Sequence, residues 1–180
     1  PTNSGKTFRS LERLKLAKCG VYLGPLRLLA LEVYEQMCHY DVPCTMRTGQ
    51  ECIEEEGSRV TASTIEMADF DENYDIAVID EAQMVTDPDR GHSWTKAILG
   101  LRAKEIHICM SPAAEQAILH LIQLCQDDYE IERYVRKTEL ICEDVPFVFP
   151  DDVQNGDALI VFSKKSVLDV AGRLEEQKIN

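Results

Sequence analysis

Short apolar runs rich in β-branched residues recur along the chain, and between them the apolar residues switch to helical spacing. GVYLG (20–24), IAVID (76–80), IHIC (106–109) and ALIVF (158–162) read as buried strands of a parallel sheet. Over 25–38, Leu26, Leu29, Ala30, Val33 and Met37 share one stripe at helical spacing. Ala114, Ala117, Ile118, Leu121 and Ile122 do the same over 113–124, with Pro112 placed to start that helix. Residues 8–17 and 165–177 complete the amphipathic set. Strands alternating with helices across short joints predict an α/β fold around a mostly parallel central sheet. A hydrophobic share of 44% over 180 residues is enough to bury one such core. No apolar run approaches the ~20 residues that a membrane-spanning helix needs, so no membrane partner is expected.

Near 150–157 the sequence FPDDVQNGD gathers Pro, Asp, Asn and Gly, and a new strand and helix pattern follows. This places one domain over 1–150 and, over 151–180, a linker with the first strand and helix of a second domain that continues beyond the chain. The acidic run ECIEEEG (51–57) reads as a solvated turn.

Chemistry enters at the first residues. PTNSGKT matches all but the leading position of the phosphate-binding pattern G-x-x-x-x-G-K-[ST]; the first Gly and the strand that normally feeds the loop lie outside these residues. In such a loop, backbone N–H groups over Thr2, Asn3, Ser4, Gly5, Lys6 and Thr7 curl around phosphates at the positive end of a helix. Lys6 would reach the β/γ-phosphates and the Thr7 hydroxyl would ligate Mg²⁺. The second motif is IAVIDEAQ (76–83), an apolar strand ending in two adjacent carboxylates. Asp80 is expected to hold the metal, and Glu81 to accept a proton from the water that attacks the γ-phosphate. Together the two motifs predict a site for ATP and Mg²⁺. A polar Gln83 after the carboxylate pair suits a residue that senses the γ-phosphate and relays it. D-E-A-Q beside S-G-K-T also occurs in zinc-containing thymidine kinases, but this chain lacks their cysteine cluster at zinc-ligand spacing.

Further segments bear on nucleic acid. GPLRLLALEVYE (24–35) resembles a helicase segment that contacts successive phosphates of a single strand, with Pro25, Leu26 and Arg27 as contacts. TGQE (48–51), with Thr48 and Gly49, and TASTIEM (61–67), with Thr64, resemble further strand-contacting motifs. The net charge of −13 excludes a surface that is basic throughout, so contacts must be few and largely main-chain.

PTNSGKT, GPLRLLALE, TGQE, STIEM, VIDEAQM, DPDRGHSWTKAILGL (87–101) and GDALIVFSKKSV (156–167) stand in the order found in mitochondrial degradosome-type RNA helicases, a branch of superfamily two with bacterial relatives. The resemblance spans essentially the whole chain, and RGHSWTKAILGL is its most specific stretch. It implies a RecA-like phosphate-loop domain, the start of a second one, and ATP hydrolysis coupled to 3′-to-5′ unwinding of RNA-containing duplexes, with single-stranded RNA or an RNA/DNA duplex as the partner. An exoribonuclease partner is implied too, as is an intracellular location, cytoplasmic in a bacterium or the mitochondrial matrix in a eukaryote. Glu81, Lys6, Asp80 and Gln83 would carry the catalysis. One departure is MSPAA (110–114), where Ser111 replaces the family's usual acidic residue. A second is that the arginine finger of the second domain lies outside these residues, so the isolated chain is expected to be inactive. A nucleoside kinase and a non-catalytic nucleotide- or partner-binding relative stay open as alternatives.

The seven cysteines are odd in number and form no C-x-x-C pair, which points to free thiols. His39, His92, His107 and His120 are scattered, and Trp94, Met84 and Met110 read as packing residues.

Overall fold

A computed structural model describes residues 5–135, 139 and 141–176. The chain divides into two compact units, Pro1–Thr138 and Glu139–Asn180. The first is an α/β layer structure. Its strands are β1 (Gly20–Gly24), β2 (Cys44–Arg47), β3 (Cys52–Ile53), β4 (Val60–Thr64), β5 (Asn73–Ile79) and β6 (Arg102–Ile108). Across the sheet they run in the order β3-β2-β4-β1-β5-β6. Among the described residues only the β2–β3 pairing is antiparallel.

Both faces are covered, which is why β1 is buried along its whole length. Alternate side chains point to opposite faces. Tyr22 from β1 and Ile76 and Val78 from β5 pack with Leu11 and Leu14 of α1 (Lys6–Leu14) and Val33 and Met37 of α2 (Arg27–His39). Val21, Leu23, Ala77 and Ile79 point the other way. They meet Trp94, Ala97 and Ile98 of α3 (Gly91–Gly100) and Ile118 of α4 (Glu115–Cys125).

The strands expected at 20–24, 76–80 and 106–109 are present, the last two starting three or four residues earlier than read. Three strands escaped the sequence reading. CTMR is interrupted by Thr45 and VTAST by Thr61, Ser63 and Thr64, so they form no apolar run. They are strands because VTAST pairs in register with β1, Gly20 opposite Val60, and CTMR pairs in register with VTAST, Cys44 opposite Val60. Part of the acidic turn at 51–57 is β3, antiparallel to β2.

In the second unit, α5 (Lys164–Glu176) stands where a helix was expected. Ser163 starts it, its hydroxyl accepting the N–H of Ser166 at 3.0 Å. The expected strand at 158–162 is absent: those residues are irregular, with Ile160 79% and Phe162 99% exposed. A β-strand is defined by its neighbours, and among the described residues of this unit there is no other strand to pair with. Among the described residues no helix is long and apolar enough to cross a membrane.

Candidate active site

Every candidate residue that the structure describes lies at the carboxyl ends of the parallel strands or at the start of α1. That is the edge where open α/β sheets place their ligands. Thr2, Asn3 and Ser4 lie outside the described residues. Gly5 precedes α1 with φ +82°, a left-handed conformation that a side chain would strain. Among the described residues no side chain caps the first N–H groups of α1.

Thr7 and Asp80, from opposite ends of the motif set, come together: the Thr7 hydroxyl donates to Asp80 Oδ1 at 3.3 Å. Asp80 is only 4% exposed. Its Oδ1 also accepts the N–H of Glu81 at 2.9 Å, and its Oδ2 accepts the hydroxyl of Tyr22 at 3.1 Å. Its backbone is tied as well. The N–H donates to Leu23 O at 2.8 Å, and the carbonyl accepts the indole N–H of Trp94 at 3.0 Å. Burial, the largest influence, pushes the Asp80 carboxyl above the ordinary carboxylate range. The Glu81 amide and the Tyr22 hydroxyl oppose that, while the Glu81 charge adds to it. Tyr22 is pushed up in turn, by burial first and the Asp80 charge second. Gly24 permits this placement, because a Cβ there would lie 2.8 Å from the Tyr22 hydroxyl.

Glu81 adopts φ 48° and ψ 43°, unusual for a residue with a side chain, and turns its carboxylate out of the strand line. Glu81 Oε1 stands 3.6 Å from Lys6 Nζ. Gln83 spans the gap to the next loop. Its amide nitrogen donates to Glu81 Oε2, and its Oε1 accepts the backbone N–H of Ser111 at 3.0 Å. The segment carrying Ser111 is thus joined to the carboxylate pair through a main-chain amide, which the serine substitution leaves intact. Cys109, at the end of β6, is pushed up by burial and lies 3.3 Å from the Ser10 hydroxyl.

Strand-contact candidates line the same edge beyond β1. Pro25 and Leu26 join β1 to α2, whose N-terminus has no side-chain cap. Arg27 is bound to Glu51 at 2.5 Å, bridging the GPLR and TGQE segments. The Thr48 hydroxyl is spent on its own turn, donating to Glu51 O at 3.0 Å and accepting Glu51 N–H at 3.1 Å. Gly49 is exposed with open space around it, and Thr64 ends β4, 9% exposed. Sequence reasoning missed Tyr22, although a hydroxyl inside the apolar run GVYLG was a signal. It also left RGHSW without a role beyond packing for Trp94.

The donor set fits Mg²⁺. A hydroxyl and a carboxylate are hard oxygen ligands, and Lys6, whose charge acts on the buried Asp80, is itself paired with Glu81.

Residues 1–134 match the family described as the DEXQ-box helicase domain of Suv3. The chain is 42% identical over 177 residues to the mitochondrial ATP-dependent RNA helicase SUV3L of Oryza sativa subsp. japonica, covering 98% of this chain and 24% of that protein. It is 40% identical over 179 residues to the mitochondrial ATP-dependent RNA helicase SUPV3L1 of Mus musculus, covering 97% and 23%. Among solved structures, the SWI2/SNF2 ATPase core of Sulfolobus solfataricus in complex with dsDNA aligns with TM-score 0.43 at 20% identity, over 65% of this chain and 28% of that one. The chain spans about a quarter of the length of the two curated relatives.

Proposed function

This chain belongs to the DEXQ-box helicase domain family of Suv3, and from that premise we propose that it is the ATP-binding half of an ATP-dependent RNA helicase. The observation that carries the reading is the meeting of Lys6 and Thr7 with Asp80 and Glu81 at one sheet edge.

In this reading the phosphate loop (Thr2, Asn3, Ser4, Gly5) and the first N–H groups of α1 hold the phosphates of ATP. Lys6 exchanges Glu81 for the β/γ-phosphates. Thr7 and Asp80 hold Mg²⁺, which would neutralise charge on the phosphate oxygens. Glu81, released from Lys6, accepts a proton on its carboxylate from the attacking water. Gln83 holds the Glu81 carboxylate and the Ser111 amide together, so a shift of either is felt by the other. The open amides of α2, with Pro25, Leu26 and Arg27, bind strand phosphates, and Gly49 and Thr64 lie along the same path. Thr48 shapes its turn rather than touching the strand.

Single-stranded RNA or an RNA/DNA duplex is the proposed substrate. The remaining helicase domain continues from residues 151–180, and an exoribonuclease is the expected companion. The names of the relatives place them in mitochondria, and a mitochondrial matrix location is proposed here for a eukaryotic source. The test is ATP turnover by the complete protein with and without single-stranded RNA, alongside unwinding of a tailed duplex. RNA-stimulated turnover with unwinding supports the reading. ATP binding without turnover would favour a non-catalytic relative, and phosphorylation of thymidine would favour a kinase.

A further inference from the structure

The segment DPDRGHSW occupies the ground between the two parts of the site. Its backbone is rigidly set. Asp87 Oδ1 accepts the N–H groups of Asp89 at 3.0 Å and Arg90 at 2.8 Å, and the Asp87 carbonyl accepts the N–H of Gly91 at 2.9 Å. Gly91 is required by close approach: a Cβ there would lie 2.4 Å from Val85 O. This turn aims the Arg90 side chain along the sheet edge.

Arg90 makes contacts to three different segments. Its Nε and Nη2 donate to Glu66 Oε1 at 2.9 and 2.7 Å, and Glu66 sits in the 3₁₀ turn (Ile65–Met67) that directly follows Thr64. Nη2 also donates to the carbonyl of Pro25 at 2.6 Å, in the loop between β1 and α2. Its guanidinium carbon lies 5.5 Å from the ring centre of Trp94, one helical turn on. The indole N–H of Trp94 in turn holds the Asp80 carbonyl at 3.0 Å. One guanidinium thus connects two strand-contact segments to the residue that fixes the carboxylate pair.

The Arg90–Glu66 pair is solvent-accessible, 37% and 41% exposed, and such pairs contribute little to stability. What the arrangement supplies is orientation. Serving Glu66 and the Pro25 carbonyl together needs the planar fork of arginine, which a lysine cannot reproduce. A phosphate arriving at the open N-terminus of α2 would sit beside Pro25 and compete with Glu66 for the guanidinium.

Building on the function proposed above, we infer that Arg90, held by Glu66, is a positioning residue that couples strand binding at Pro25 and Thr64 to the Asp80–Glu81 carboxylates through Trp94. Strand binding alters the partners of Arg90, and Trp94 passes the change to the Asp80 backbone. Arg90 itself touches neither the reacting phosphate nor the metal.

The experiment measures ATP turnover in the complete protein carrying these residues, with and without single-stranded RNA, for wild type, Arg90→Ala, Arg90→Lys and Glu66→Ala. The expected result is basal turnover within about twofold of wild type in all variants and a loss of RNA stimulation of roughly fivefold or more. Arg90→Lys should stay low because it keeps the charge but not the fork. Glu66→Ala, on a different element, decides the matter if Arg90→Ala fails to fold. Wild-type stimulation in Arg90→Lys or in Glu66→Ala, or equal loss of basal and stimulated turnover in a folded Arg90→Ala, overturns the inference while leaving the helicase reading in place. A wild-type protein that RNA does not stimulate overturns both.

Discussion

Along one sheet edge, two neighbouring regions are built by opposite means. At the end of β5, Asp80 is buried and fully bonded, held by α1, β1, the following turn and α3. At the ends of β1 and β2, and in the turn after β4, the side chains are held by accessible ion pairs, Arg27 with Glu51 and Arg90 with Glu66. The first region stores its precision in desolvated hydrogen bonds that are costly to break. The second is held by solvent-accessible pairs that are easily exchanged, as the strand contact proposed above requires. A buried, fully bonded cluster and a row of exchangeable ion pairs thus sit on the same scaffold with different stiffness.

The contrast can be broken most forcefully at Trp94. Truncation to Ala should cost about 3–5 kcal/mol, because a fully buried indole and its bond to the Asp80 carbonyl are both lost. Chemical denaturation reads this directly, and a loss under about 1 kcal/mol would mean that the β5 end is not a rigid site. Tyr22→Phe is the milder cut. It removes one donor from a buried carboxylate, with an expected cost of about 1–3 kcal/mol. Asp80 should then titrate higher still, moving the acidic limb of the turnover profile to higher pH.

Asp80→Asn sharpens the comparison from the other side. Its amide can keep the two hydrogen bonds at Oδ1 and can meet the Tyr22 hydroxyl only as a donor, while removing a buried charge, so the metal-free protein should gain about 0.5–2 kcal/mol, or roughly 1–8 °C in Tm. The sign follows from the raised pKa. Below the ordinary carboxylate pKa Asp80 is neutral whether folded or unfolded and carries no penalty. As pH rises through the folded pKa, ionisation costs stability. The gain should therefore appear at neutral pH and vanish in acid; a gain independent of pH would assign it to something other than charge. At the opposite region, Arg27→Ala should change stability by less than about 1 kcal/mol. It should still lower the salt dependence of RNA binding by about one unit, the mark of one lost phosphate contact. An unchanged slope would leave Arg27 as the partner of Glu51 alone.

What could be read from the chain follows the same division. Asp80 and Glu81 were legible because the end of an apolar strand is a local pattern, and Lys6 and Thr7 because the loop motif is contiguous. Tyr22, by contrast, reaches Asp80 across 58 positions, and only the register of β1 beside β5 brings them together. Strands β2 and β4 were hidden by their threonines and serines, and ALIVF was over-read because apolarity alone does not supply a neighbouring strand. Arg90 had a visible motif around it, yet its partners Glu66 and Pro25 come from other loops and no spacing rule links them.

The central claim is that the Asp80–Glu81 pair is a hydrolytic centre, and Glu81→Gln tests it most directly. The glutamine keeps the size of the side chain and removes its charge, and with it the proton acceptor and the pairing with Lys6. With the complete protein, Mg-ATP and single-stranded RNA, the variant should bind nucleotide about as well as wild type. Its turnover should fall on the order of 10²-fold or more. Near-normal turnover in Glu81→Gln would contradict the role assigned to that carboxylate and the account built on it.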